Sequence, residues 1–209
     1  MLLWGKDCTF FEVKKEGDWG TIAEIKKNDY EDIKSTKYEN RVQIIYTWAD
    51  SIKVLDKVVA RQKRTVVLIF FISTNVVCCF GSSESLVTYA KNMLFERASL
   101  VLKKIDVFNA CIRRIKNEDL FAPLSNVQLL RRVADSISDY PVIKIPVSEL
   151  AKHELINIIN SKDLKSMTFH ADNIKTHFYL DRNSVLSFPD TAKDDDIEYV
   201  LEKFIQEVL

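Results

Sequence analysis

The most apolar stretch of the chain is residues 65–80, TVVLIFFISTNVVCCF. Val66, Val67, Ile69, Phe70, Phe71, Ile72, Val76 and Val77 are β-branched or aromatic and suit a pleated surface. The run does not alternate with polar positions, which predicts strands covered on both faces. Ser73-Thr74-Asn75 interrupts it, and asparagine tolerates the left-handed conformation of a tight turn, so the pattern predicts two buried strands, 66–72 and 76–80, joined there. A membrane helix needs about 20 uninterrupted apolar residues. This run is shorter and broken, and no membrane span is expected.

On either side of that hairpin the apolar spacing changes. Ile44, Ile45, Trp48, Ile52, Leu55 and Val59 recur at steps of three and four, which predicts an amphipathic helix over about 39–62. Gly81-Ser82-Ser83 ends the second strand, and Ser83 is placed to cap a helix carrying Leu86, Tyr89, Ala90, Met93 and Leu94. A third strand is expected over 99–105, and a helix capped by Asp106 over 107–116. Further along, the pattern predicts a short strand at 142–145, a helix capped by Ser148 and running to about 160, and strands at 166–170, 175–180 and 184–188. A final helix begins at Asp194, where three aspartates meet the positive end of the helix dipole. In the first forty residues, 9–13 reads as a strand and 17–20 as a turn; the rest has no clear period. Residues 127–134 fit strand or helix.

These elements define an α+β fold: an antiparallel sheet with a central buried hairpin at about 65–80, covered by amphipathic helices. Helix, hairpin, helix over 39–97 and again over 148–209 is compatible with two α-β-β-α-like halves. Pro123 and the polar stretch 117–126 mark a boundary, dividing the chain into 1–120 and 127–209, two halves packed together or one compact domain.

Composition adds an uneven charge. Residues 1–50 carry net −2, residues 51–132 net +8 and residues 133–209 net −6, while the whole chain is neutral. A basic middle between acidic ends implies an anionic partner, self-association or internal neutralisation. Four cysteines show no disulfide-framework spacing, and the N-terminus lacks the positive region of a signal peptide, so an intracellular, cytoplasmic setting is expected.

Candidate chemistry is sparse. Gly81, Ser82 and Ser83, between a strand and a helix, could bind an anion through exposed N–H groups, although the chain has only four glycines, none spaced as in a phosphate loop. Cys78 and Cys79 point to opposite faces of a strand and cannot converge on one ion. His170, Asp172 and His177 flank one connection without metal-ligand spacing. No catalytic residue, metal or cofactor is assigned. The basic residues offer a better lead: Arg61, Lys63, Arg64, Arg113 and Arg114 are candidate nucleic-acid contacts through phosphate. The apolar end of the last helix, Phe204, Ile205, Val208 and Leu209, must dock on this chain or another copy.

The reading favours a non-catalytic intracellular interaction module, part of a larger assembly, with a protein partner or self-association. The alternatives are a nucleic-acid-binding protein using the basic middle, and an enzyme without a recognisable motif.

Overall fold

The computed structural model describes residues 7–14, 22, 24–54, 57–130 and 142–209, with backbone alone at 51–54 and 57–61. Expected features at 17–20 and 131–134 lie outside these residues. The described chain contains eleven strands and four α-helices, all strand pairs are antiparallel, and the fold is α+β with sheet predominating. Two compact units follow one another, Met1–Ile105 and Asp106–Leu209.

The first unit holds β1 (Asp7–Val13), β2 (Glu31–Lys37), β3 (Arg41–Val54), β4 (Lys57–Phe71), β5 (Val76–Phe80), α1 (Glu84–Arg97) and β6 (Leu102–Lys104). Its strand order is β2-β3-β4-β5-β1, with β6 also on β1. β4 and β5 pair from Val67↔Phe80 to Phe71↔Val76. Ile72, expected inside the strand, falls in the turn, where Asn75 takes φ 54°. Residues 66–71 and 76–80 are buried throughout, as their unbroken apolar pattern requires.

The helix expected over 39–62 is not formed. Residues 41–54 are β3, and 57–62 open β4. The same segment also contains a period of two: Val42, Ile44, Tyr46 and Trp48 are all buried. These residues and their neighbours Ile45 and Thr47 are β-branched or aromatic, which favours the strand once a partner of matching length is available. β4 is that partner, paired from Arg41↔Phe71 outward to Val54↔Lys57. With a strand in place of its first helix, the first unit does not have the α-β-β-α order.

Alternation then builds one core. Ile33, Ile44, Tyr46, Trp48, Val66, Leu68, Phe70, Val77 and Cys79 pack with Val87, Ala90, Leu94 and Phe95 of α1. The Phe70 and Phe95 rings lie 6.0 Å apart. Trp48 stacks between Tyr46 at 5.1 Å and Tyr89 of α1 at 4.8 Å. A partly buried clamp ties the end of α1 to the start of β2. Arg97 donates Nη1 to Glu31 Oε2 at 2.7 Å and Nη2 to Oε1 at 3.0 Å, while Tyr46 donates its hydroxyl to Oε1 at 2.8 Å. The bidentate bond from Arg97, opposed by burial and aided by Tyr46, lowers the Glu31 carboxyl to about 2.

The second unit runs α2 (Val107–Lys116), β7 (Leu124–Leu130), β8 (Val142–Pro146), α3 (Lys152–Ile159), β9 (Leu164–Ala171), β10 (Thr176–Asp181), β11 (Val185–Ser187) and α4 (Asp194–Lys203), with strand order β11-β10-β9-β7-β8. Residues 117–123 connect α2 to β7 inside this unit, and 124–126 already belong to β7. Asp106 caps α2 by accepting from Asn109 N at 3.1 Å. Ser148 does not cap α3: it lies in a short 3-10 turn, and Ala151 precedes the helix, its N–H bonded to Glu154 Oε2 at 2.8 Å. α4 continues into a wider π turn, Phe204–Val208. Its apolar stripe docks within the unit, with Phe204 edge-on to Phe121 at 5.4 Å and to Phe178 at 5.6 Å.

Candidate anion-binding groove

Antiparallel register places residues far apart in sequence on common rungs. Asp32 pairs with Thr47, and Thr47 with Thr65; Lys34 pairs with Ile45; Lys63 pairs with Ala49. With Arg64, Ser82 and Leu86, these side chains line a groove of about 460 Å³: Asp32, Lys34, Ile45, Thr47, Lys63, Arg64, Thr65, Ser82 and Leu86. Its volume lies within the range of small-molecule and segment sites, roughly 300–1,000 Å³.

Three cations, Lys34, Lys63 and Arg64, and one carboxylate, Asp32, are among the lining residues. Asp32 is drawn outward to Lys27 at 3.0 Å, with Lys34 at 3.9 Å. The hydrogen bond from Lys27 holds its carboxyl below the ordinary range. Arg64 is oriented by Asp50, which accepts from its Nε at 3.2 Å and from Trp48 Nε1 at 2.9 Å. That bond fixes one edge of the guanidinium. Among the described residues no carboxylate pairs with Lys63, which is exposed. The Thr47 and Thr65 hydroxyls lie 3.3 Å apart and supply neutral donors between the cations. The lining combines Lys and Arg charge with hydroxyl donors, and Ile45 and Leu86 add apolar surface, a chemistry suited to an oxyanion such as phosphate.

The groove gathers part of the sequence-predicted set. Lys63, Arg64 and Ser82 are brought together. Arg61 lies on β4, opposite Ser51, with its side chain outside the described residues. Arg113 and Arg114 belong to the last turn of α2 in the other unit; Arg113 is exposed, and Arg114 pairs with Asp119 at 2.7 Å. Gly81 and Ser83 are committed to architecture. A Cβ at Gly81 would stand 2.8 Å from Val87 Cγ2, so the glycine permits close approach of the loop to α1. Ser83 caps α1, accepting from Leu86 N at 3.4 Å and meeting Ser85 Oγ at 2.9 Å.

Lys34, Thr47 and Thr65 carry no sequence signal of their own. Only the β2–β3–β4 register brings them to the groove, and reading 39–62 as a helix hid that register.

The other candidates offer less chemistry. All four thiols are free and buried, and burial raises those of Cys8, Cys79 and Cys111, which disfavours a nucleophilic thiolate. His170 and His177 are directly opposed on β9 and β10, rings 4.3 Å apart, with His170 Nε2 3.2 Å from Asp172. Among the described residues no group of three His, Cys, Asp or Glu is arranged to hold a metal ion. Among the same residues, no helix is long and apolar enough to cross a membrane. Neither a protein-family model nor a curated protein matches the chain.

Proposed function

We propose that this chain is a non-catalytic interaction module whose first unit binds a phosphate-bearing partner, with nucleic acid as the partner class. The observation that carries the reading is the convergence of Lys34, Lys63 and Arg64 with Thr47, Thr65 and Ser82 on one groove. Cations with intervening hydroxyls hold backbone phosphates without reading sequence. The carboxylate most displaced from its usual range, Glu31, is locked in a structural ion pair, which supports binding over acid–base catalysis. Four buried free thiols fit a reducing, intracellular setting.

The test is fluorescence anisotropy with labelled single-stranded and duplex oligonucleotides at low and moderate salt. Binding should weaken steeply with salt, and K34A/K63A should weaken it for all sequences alike, flattening the salt slope by about 0.9 for each phosphate no longer neutralised. Absence of binding to every oligonucleotide at low salt would remove the reading.

A further inference from the structure

The hairpin of β3 and β4 is longer than the sheet that carries it. β2 flanks β3 only as far as Trp48, with one further bond from Ala49 N to Tyr30 O, and β5 flanks β4 only from Val67 onward. Beyond the Ala49–Lys63 rung the two strands continue as a pair: Asp50↔Gln62, Ser51↔Arg61, Ile52↔Ala60, Lys53↔Val58 and Val54↔Lys57. No third strand pairs with them among the described residues. At about 3.4 Å per residue, positions 49–54 form a two-stranded ribbon about 17 Å long. A register shift between Ile52 and Lys53 adds a bulge, which increases local twist.

The charge on this ribbon is one-sided. Residues 49–64 contain Lys53, Lys57, Arg61, Lys63 and Arg64 against two acids, Asp50 and Asp56. Asp50 is already bound to Arg64 and Trp48. Residues 57–64, KVVARQKR, hold four cations and no acid. The root of the ribbon, at Lys63 and Arg64, is also the rim of the groove, so a single polyanion can follow both.

We propose that this ribbon is a duplex-DNA-binding arm that lies in the major groove while the Lys34–Lys63–Arg64 groove holds the adjoining phosphate backbone. The inference rests on the phosphate-binding reading above and adds the form of nucleic acid. Two strands lie about 4.8 Å apart, and with side chains they match the B-form major groove, about 12 Å wide and 8.5 Å deep. The A-form major groove is deep and too narrow for such a ribbon, and a single strand offers no groove. A twisted ribbon also follows a helical groove better than a flat one. Charge complementarity selects the polyanion, and dimensions select B-form DNA.

The experiment compares the chain with K53Q/K57Q/R61Q, which removes three charges but keeps unbranched polar side chains, and with K34A/K63A. Probes are a fluorescein-labelled DNA duplex of about 24 base pairs, the RNA duplex of the same sequence and each DNA strand alone, all across a salt series; about 24 pairs spans two helical turns. Circular dichroism and sedimentation check fold and mass. The wild type should bind duplex DNA at least about tenfold tighter than the other probes. K53Q/K57Q/R61Q should remove that preference and flatten the duplex salt slope by between about 2 and 3 units, at about 0.9 per phosphate. K34A/K63A should weaken all probes and leave the preference in place. Equal binding to all probes by the wild type, or an unchanged preference in the ribbon variant, overturns the arm while leaving the groove reading intact. A ribbon variant with altered mass and unchanged DNA affinity also overturns it and assigns the ribbon to self-association. No binding by the wild type removes both.

Discussion

Glu31 and Asp32 are adjacent carboxylates on β2, and strand alternation sends them to opposite faces. Glu31 shares its face with Ile33, Tyr46 and Trp48, beneath α1, and is consumed by Arg97 and Tyr46. Asp32 shares its face with Lys34, Thr47 and Thr65, and reaches only exposed lysines. The same three strands therefore keep most of their packing on one face and Lys34 and Lys63 on the other, while Arg64, opposite Trp48, lies at the margin of the packed face. A substitution should reveal its face by which property it changes.

The largest loss of stability is expected from W48A. Trp48 is 4% exposed and held between two rings, so truncation should cost about 3–5 kcal/mol in urea unfolding. An effect under about 1 kcal/mol would show that the face collapses around the gap.

E31Q comes next, at about 2–3 kcal/mol near neutral pH, because it breaks a bidentate, nearly buried ion pair whose arginine stays partly solvated. This cost has a defined pH dependence. The folded carboxyl sits at about 2 against an ordinary 4.5, so the unfolded chain binds the extra proton and stability falls with acid. The Glu31 contribution is complete above about pH 4.5 and lost as the pH approaches 2. Unfolding at pH 6 and pH 3 should therefore show the gap between wild type and E31Q shrinking at the lower pH.

G81A should be milder, about 1–2 kcal/mol, since its methyl meets Val87 Cγ2 at 2.8 Å. V87A in the same chain should recover part of that loss, because the obstruction is one side chain. Additive losses would place the strain elsewhere.

The smallest change in stability is expected for K34A/K63A, within about 0.5 kcal/mol, as both lysines are exposed. Here the loss should appear in salt-dependent oligonucleotide binding. A large melting shift for this pair would erase the division between faces.

How much of this was legible beforehand depended on whether a segment offered one period or two. Residues 66–80 offered one, a dense β-branched run with a polar break, and both strands fall there. Residues 41–54 offered two at once: Ile44, Trp48, Ile52 and Leu55 fit a helix, while Val42, Ile44, Tyr46 and Trp48 fit a strand. What decided between them was the cross-strand partner, a contact with no local trace in the sequence. The groove was legible only in fragments for the same reason. Lys63 and Arg64 stood out as charge, but Lys34 lay in a stretch without a period, and Thr47 was assigned to the supposed helix. The Glu31–Arg97 pair joins positions 66 residues apart and leaves no local signature.

The four cysteines give the molecule a built-in chemical clock. Cys8 on β1 and Cys78 and Cys79 on β5 are all sealed in the first unit, while Cys111 is sealed on α2 in the second. A thiol reagent reaches Cys79 only when α1 lifts from the sheet or the strands part, and it reaches the other three only when the packing that buries them opens. Labelling followed by mass spectrometry thus times the opening of each unit separately, without an introduced probe.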